Sequence, residues 1–158
     1  YNINYFRNVI IIIDMTERSV YNDNFKNKLE ILKGKIKNFV YEFFNYNYTS
    51  NISILEINDY FTNLICNSSN DPIAIIESLN KLKKPIGYPS LANALNVTFE
   101  FTQLLEFPKS GIDLAIFYFN DNTYDRINFN EILDNYIDNK ITINVLTFEY
   151  PFEFLKVI

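Results

Sequence analysis

Asp14, Thr16 and Arg18 occupy alternate positions directly after the apolar run Val9 to Ile13. An acid, a hydroxyl and a guanidinium at that spacing are the first candidates for chemistry in this chain. In open α/β sheets, ligands and partners are met at the carboxyl ends of the strands. A second set of polar residues, Asn120, Asp121, Asn122 and Thr123, follows another apolar stretch, Ile112 to Phe119. Asp14 and Asp121 can in principle share a pocket as a carboxylate pair. Strand ends carry Asp and Asn routinely, however, because these side chains form local turns with the backbone, so the pair alone does not make an active site.

Composition narrows the chemistry further. The 158 residues contain no histidine, which removes Ser-His-Asp and Cys-His catalysis outright. With a single cysteine, Cys66, there is no internal disulfide and no Cys/His zinc site. That cysteine count fits an intracellular setting, and Cys66 reads as a small buried side chain. Only three glycines exist, Gly34, Gly87 and Gly111, and none follows the first strand, so a phosphate-cradling loop or dinucleotide fingerprint is missing. A phosphoacceptor receiver domain needs an acidic pair after the first strand and a lysine after the last; here Asp14 stands with Thr16, and Tyr150-Pro151 follows the last strand. Fourteen basic against nineteen acidic residues leave a net charge of -5, the wrong sign for gripping nucleic-acid phosphates. A protein is the expected partner, with no direct nucleic-acid binding. No apolar run approaches the length needed to cross a bilayer, so a soluble protein with no membrane partner is expected.

The elements that must position Asp14 are legible from periodicity. Arg7 to Asp14 carries a continuous β-branched run, Val9 to Ile13, with no solvated face, hence a central parallel strand covered on both sides. Helical spacing of Phe25, Leu29, Leu32, Ile36, Phe39, Val40 and Phe43 predicts an amphipathic helix over residues 25–45, its lysines on a solvated face. Asn51 to Asn58 and Tyr60 to Cys66 are two strands with almost no loop, which demands an antiparallel hairpin at the sheet edge. Asp71-Pro72 starts a helix to about Lys83, and Ser90 caps another to about Glu106, with Leu104 among its inward residues. Asn128 to Asn139 is a helix with Ile137 inward, and Ile141 to Phe148 is the last strand. The order is β-α-β-β-α-α-β-α-β, one domain over residues 1–158.

Several words in this order resemble the von Willebrand factor A-like family: Arg7 to Asp14 (RNVIIIID), Phe39 to Tyr46 (FVYEFFNY), Gly87 to Leu95 (GYPSLANAL) and the stretch from Ile112 to Asp125. Within that family the chain resembles the core subunit of the transcription and repair factor TFIIH that binds and stimulates the XPD-type helicase. The most specific word is GYPSLANAL, and the likeness covers essentially the whole chain. It implies an α/β, Rossmann-like three-layer sandwich, with a mostly parallel central sheet and one antiparallel edge strand. It also implies a fragment lacking its last helix and strand, a nuclear, non-catalytic scaffold, and the helicase and other TFIIH core subunits as partners. The alternatives are the ubiquitin-receptor subunit of the proteasome, which shares the fold, and a divalent-cation-dependent ligand-binding module.

Metal-binding relatives carry Asp-x-Ser-x-Ser where this chain has Asp14-Met15-Thr16-Glu17-Arg18; Ser90 corresponds to the third-loop threonine, and Asn120 falls near the second aspartate. Magnesium wants a near-octahedral oxygen shell, usually with anionic members. Arg18 offers only donors, and Asn120 removes a formal charge, so no metal and no cofactor are expected. Arg18 either pairs with Asp14 in place of the ion or points to solvent near Glu17 and Asp23. For the partner surface, the strand-end loops and the edge near Tyr60 to Cys66 are the candidates, with Tyr21, Tyr88 and Tyr124 as aromatic anchors.

Overall fold

Beyond Arg7, every residue of β1 (Arg7–Asp14) is buried, because each face of the strand has its own core. Val9, Ile11 and Ile13 pack with Leu32, Ile36 and Val40 on one side. On the other, Ile10 and Ile12 pack with Leu91, Leu95, Ile132 and Tyr136. A run without polar alternation is therefore what this position needs, and each fully buried aliphatic side chain contributes roughly 1.5–3 kcal/mol.

The computed structural model describes residues 6–17, 25–105, 111–119, 125 and 127–147, with side chains from residue 28 onward in the first helix. After β1 come α1 (Phe25–Tyr46), β2 (Asn51–Asn58), β3 (Phe61–Ser69) and α2 (Pro72–Ser78), the last running into a 3-10 turn (Leu79–Lys81). Then follow α3 (Leu91–Gln103), β4 (Gly111–Tyr118), α4 (Asn130–Asp138) and β5 (Thr142–Thr147). Among the described residues the strands form one five-stranded sheet in the order β3-β2-β1-β4-β5. All pairs are parallel except β2 with the edge strand β3. The chain leaves β1 for β2 through α1 and leaves β4 for β5 through α4, in opposite directions across the sheet. Right-handed crossovers then place α1 and α4 on opposite faces, and the carboxyl ends of β1 and β4 open side by side.

The hairpin expected between residues 51 and 66 is present, with Asn58 paired to Phe61. Its two connecting residues, Asp59 and Tyr60, have φ of 28° and 65°, the positive values that a tight two-residue turn demands at both positions. Local signals also set the helix starts. Asp71 accepts the N–H of Ile73 at 3.0 Å and Pro72 fills the first helical position, while Ser90 accepts the N–H of Asn93 at 3.1 Å.

Four expectations need correction. The helix begun at Pro72 ends at Ser78 rather than near Lys83; Ser78 Oγ donates to the Ile75 carbonyl at 2.5 Å, a back-bond of the kind that bends or ends helices. Helix α3 stops at Gln103, so Leu104, expected inside, is 84% exposed. Ile137 is 70% exposed because the buried stripe of α4 is Ile132 and Tyr136, four apart, and Ile137 lies a further 100° around the helix. Phe39, expected in the core, is exposed at the rim of an apolar groove of about 270 Å³. Ala115 and Phe117 of β4 line its other side.

Candidate functional site: the strand-end face

Asp14, the last residue of β1, is fully buried, as is Thr16 beyond it. Thr16 Oγ1 donates to Asp14 Oδ1 at 2.7 Å, and the backbone N–H of Phe119, just past β4, donates to Asp14 Oδ2 at 3.1 Å. Burying a carboxylate is tolerable only with such partners. Each oxygen of Asp14 thus accepts from the chain itself, and the two central strands are tied at their exits.

Next to this carboxylate is the amino end of α3. Ser90 Oγ, besides capping the Asn93 N–H, donates to Asp125 Oδ1 at 2.6 Å, and Ala92 N–H donates to Asp125 Oδ2 at 3.1 Å. The Asp125 carboxylate therefore sits on the positive end of the helix, where a negative charge is favoured. Sequence reading singled out Ser90 but missed Asp125. A cap supplied from 35 residues away leaves no local signature, unlike the Asp71-Pro72 start.

The arrangement has a definite chemical character. Thr16 directs its proton to Asp14 and Ser90 directs its own to Asp125, while Arg18 at the third motif position has no acceptor. With Arg18 in place of a third hydroxyl, the chain offers magnesium fewer oxygen ligands here than the Asp-x-Ser-x-Ser pattern does, although the Thr16 and Ser90 oxygens keep lone pairs. Among the described residues no group of three or more His, Cys, Asp or Glu is placed to hold a metal. Arg18, Asn120, Asp121, Tyr21 and Tyr124 lie outside the described residues, so of the five degenerate metal-site positions the structure brings Asp14, Thr16 and Ser90 to one end of the sheet. Tyr88 also lies at this end.

A strap formed by residues 86–88 joins the parts. Ile86 N–H donates to the Met15 carbonyl at 3.2 Å, and Glu17 N–H donates to the Gly87 carbonyl at 2.9 Å. From the hairpin tip, Asp59 N–H donates to Ile86 at 2.9 Å and Tyr60 N–H donates to Tyr88 at 2.8 Å. Asn58 Nδ2 adds a bond to the Met15 carbonyl at 2.9 Å. Gly87 has φ of +69°, and a Cβ there would stand 2.1 Å from Asp59 Oδ1, so only glycine fits. The word GYPSLANAL acquires a physical reading. Gly87 allows the close approach, Ser90 caps, Leu91 and Leu95 fill the core, and Asn93 Oδ1 accepts from Thr62 Oγ1 at 3.2 Å on the edge strand.

One buried carboxylate lies apart from the strand-end face. Glu56 on β2 is fully buried; its Oε2 accepts the Lys83 N–H at 3.0 Å, whereas Oε1 has no hydrogen-bond partner among the described residues. Desolvation raises its pKa above the ordinary value, and the bond from Lys83 together with the Lys83 charge draws it part of the way back. Burial likewise raises the Cys66 thiol, against weaker opposing effects of Ser78 and Lys81, which makes it a poor nucleophile at neutral pH.

Solved structures share this architecture. The VWA domain of SpRpn10 superposes with a TM-score of 0.73 at 12% identity, over 90% of this chain and 75% of that one. Proximal thread matrix protein 1 of the mussel byssus gives 0.72 at 12% identity, over 97% and 38%. The von Willebrand factor type A protein from Catenulispora acidiphila gives 0.71 at 12% identity, over 94% and 34%. This chain thus spans three quarters of the first and little more than a third of the other two, and at such identity the likeness establishes the fold alone. The α/β von Willebrand factor A fold is the one expected, mostly parallel with one antiparallel pair. A family model described as Ssl1-like matches residues 12–154, which takes in β1 from Ile12, the strap, the capped helix and every later element; the chain belongs to the Ssl1-like family, the von Willebrand factor A-like domain of a TFIIH subunit and a non-catalytic module.

Proposed function

We propose that this domain is a protein-interaction scaffold of TFIIH that docks on the XPD-type helicase and stimulates it. It acts in the nucleus, in nucleotide-excision repair and in transcription initiation by RNA polymerase II, alongside the other core subunits. Membership of the Ssl1-like family over residues 12–154 carries this reading. The strand-end face supports it. Its buried acid accepts from Thr16 and Phe119, and its helix cap accepts from Ser90 and Ala92. Both carboxylates are thus held by the chain's own donors, which suits rigid docking more than turnover. A net charge of -5 fits a partner that is protein rather than nucleic acid.

The docking is metal-independent in this proposal. Where a relative would recruit a cation to capture an acidic group, this chain spends its oxygens on its own N–H and O–H groups. The test is ATP hydrolysis and DNA unwinding by the cognate helicase with and without the domain, with binding measured in magnesium and in chelator. Binding that survives chelation, accompanied by faster hydrolysis, is the expected result. Failure of the folded domain to bind would remove the helicase assignment, and binding lost on chelation would restore a cation-dependent module.

A further inference from the structure

The hairpin tip and the strap together present an aromatic ridge beside the strand-end face. Tyr60 and Tyr88 are 49% and 46% exposed, and their rings lie 6.2 Å apart at 32°. Phe61 and Ile86 are more exposed still. The four residues come from two segments far apart in sequence, joined by the bonds from Asp59 to Ile86 and from Tyr60 to Tyr88. A patch assembled in this way is distinct from apolar side chains scattered singly over a surface.

Its backbone is held where side chains rarely go. Asp59 and Tyr60 both have positive φ although neither is glycine, and for a bulky residue such as Tyr60 this conformation is an outlier. Strain of this kind persists where surrounding structure enforces it, and it clusters at binding sites. Here the enforcing structure is the strap, whose Gly87 admits Asp59 at a distance no Cβ tolerates. Tyr60 is thus fixed against Tyr88 before any partner arrives, which lowers the entropy lost on binding.

Charge indicates what the ridge takes. Asp59 is exposed and directly precedes Tyr60; its N–H bonds the Ile86 carbonyl and its side chain lies against Gly87, the residue before Tyr88, while Glu17, also exposed, is tied by its N–H to the Gly87 carbonyl. Lys83 and Lys84 precede Pro85, at the other end of the segment. Two tyrosine faces beside the Asp59 carboxylate, which lies against Gly87 between them in the strap, are complementary to a guanidinium, which stacks flat on an aromatic ring while its N–H groups reach an acid. Tyrosine and arginine are also the side chains that most often anchor protein interfaces, and anchors pair across them. We infer that the Tyr60–Tyr88 ridge is the docking surface for an arginine-bearing apolar patch on a protein partner. Resting on the function proposed above, that partner is the XPD-type helicase.

The test measures the affinity of the domain for the purified helicase, with four variants whose denaturation midpoints are checked first. A double Tyr60→Ser, Tyr88→Ser change is expected to weaken binding at least tenfold, and Phe61→Ser, which alters only a side chain at the ridge edge, severalfold. Asp59→Asn is expected to weaken binding and to flatten its salt dependence. Tyr46→Ser, at the far end of α1, serves as the exposed-aromatic control and is expected to change nothing. If the wild-type domain fails to bind, the helicase reading falls and this inference with it. If the wild type binds and the ridge variants match it, the helicase reading stands and the ridge is overturned. Should the double variant prove unfolded, Phe61→Ser and Asp59→Asn decide the question.

Discussion

The N–H of Phe119 donates to Asp14 Oδ2 at 3.1 Å across 105 residues of sequence, closing the exits of two central strands on one carboxylate. Thr16 holds the other oxygen. Replacing Asp14 by Ala leaves a buried N–H and a buried hydroxyl without these acceptors, and each such loss costs about 1–3 kcal/mol. Asp14→Ala is therefore expected to destabilise the domain by about 3 kcal/mol in urea unfolding. Asp14→Asn keeps one acceptor and should cost about half as much.

Metal independence makes a separate prediction on the same residue. A ligand that binds the native state alone raises the unfolding midpoint with its concentration. Adding magnesium up to millimolar levels, or adding chelator, is expected to leave the thermal midpoint of the wild-type domain unchanged. A midpoint that rises with magnesium and falls back in Asp14→Ala would reverse the metal-free reading.

Ser90 and Asp125 act on the start of α3 as one unit. Removal of a helix cap typically costs about 1 kcal/mol and up to about 2, so Ser90→Ala and Asp125→Ala should each fall in that range. Because the two side chains are bonded to each other, the double variant should be less destabilised than the sum, by about 0.5–1 kcal/mol. A double-mutant cycle in chemical denaturation measures that coupling directly. Strict additivity would mean that the two caps work separately.

What was legible beforehand and what was not divides along the range of the interactions. The double-faced burial of Val9 to Ile13, the hairpin between Asn51 and Cys66 and the cap at Asp71-Pro72 are written in neighbouring residues, and all three are found. Asp125 on the start of α3, and Asp59 pressed on Gly87, depend on segments brought together only by the finished sheet. Leu104 and Ile137 failed for a different reason. Apolar periodicity was carried past the point where the helix or its packed stripe ends, and a residue's hydrophobicity does not say where a helix stops. Within the family word the cap at Ser90 was legible locally, whereas the close approach at Gly87 and the acceptor role of Asn93 toward the edge strand depend on the assembled fold.

Gly87→Ala tests the strap. The added Cβ meets Asp59 at 2.1 Å, with backbone as well as side chain in the way, and φ is +69°. A substitution with both a clash and an unfavourable φ is expected to cost about 2–4 kcal/mol, above the usual 0.5–3 for single changes. The same variant should separate Tyr60 from Tyr88, visible as altered near-ultraviolet dichroism of the tyrosines at temperatures where the far-ultraviolet signal is still native. A variant as stable as the parent would show that the strap yields easily and does not hold the hairpin tip.

Glu56 sets a pH dependence whose sign follows from its burial. Desolvation lifts its folded-state pKa above the ordinary 4.5, with Lys83 opposing through its N–H and its charge. Between 4.5 and that higher value the native state holds a proton that the unfolded chain has released. Stability from this group is then complete below 4.5 and is lost as pH rises through the folded-state value. Glu56→Gln keeps an oxygen for the Lys83 N–H and cannot ionise, so it removes the dependence. Relative to wild type, the variant should gain stability on going from pH 4 to pH 8, by at most about 1.4 kcal/mol per pH unit within the window. Urea midpoints of the two proteins across that range provide the measurement, and their difference cancels the titration of every other carboxylate. A constant difference at all pH values would mean that Lys83 balances the desolvation and leaves Glu56 with the same pKa folded and unfolded, and a wild type that gains on the variant as pH rises would mean that Lys83 outweighs it.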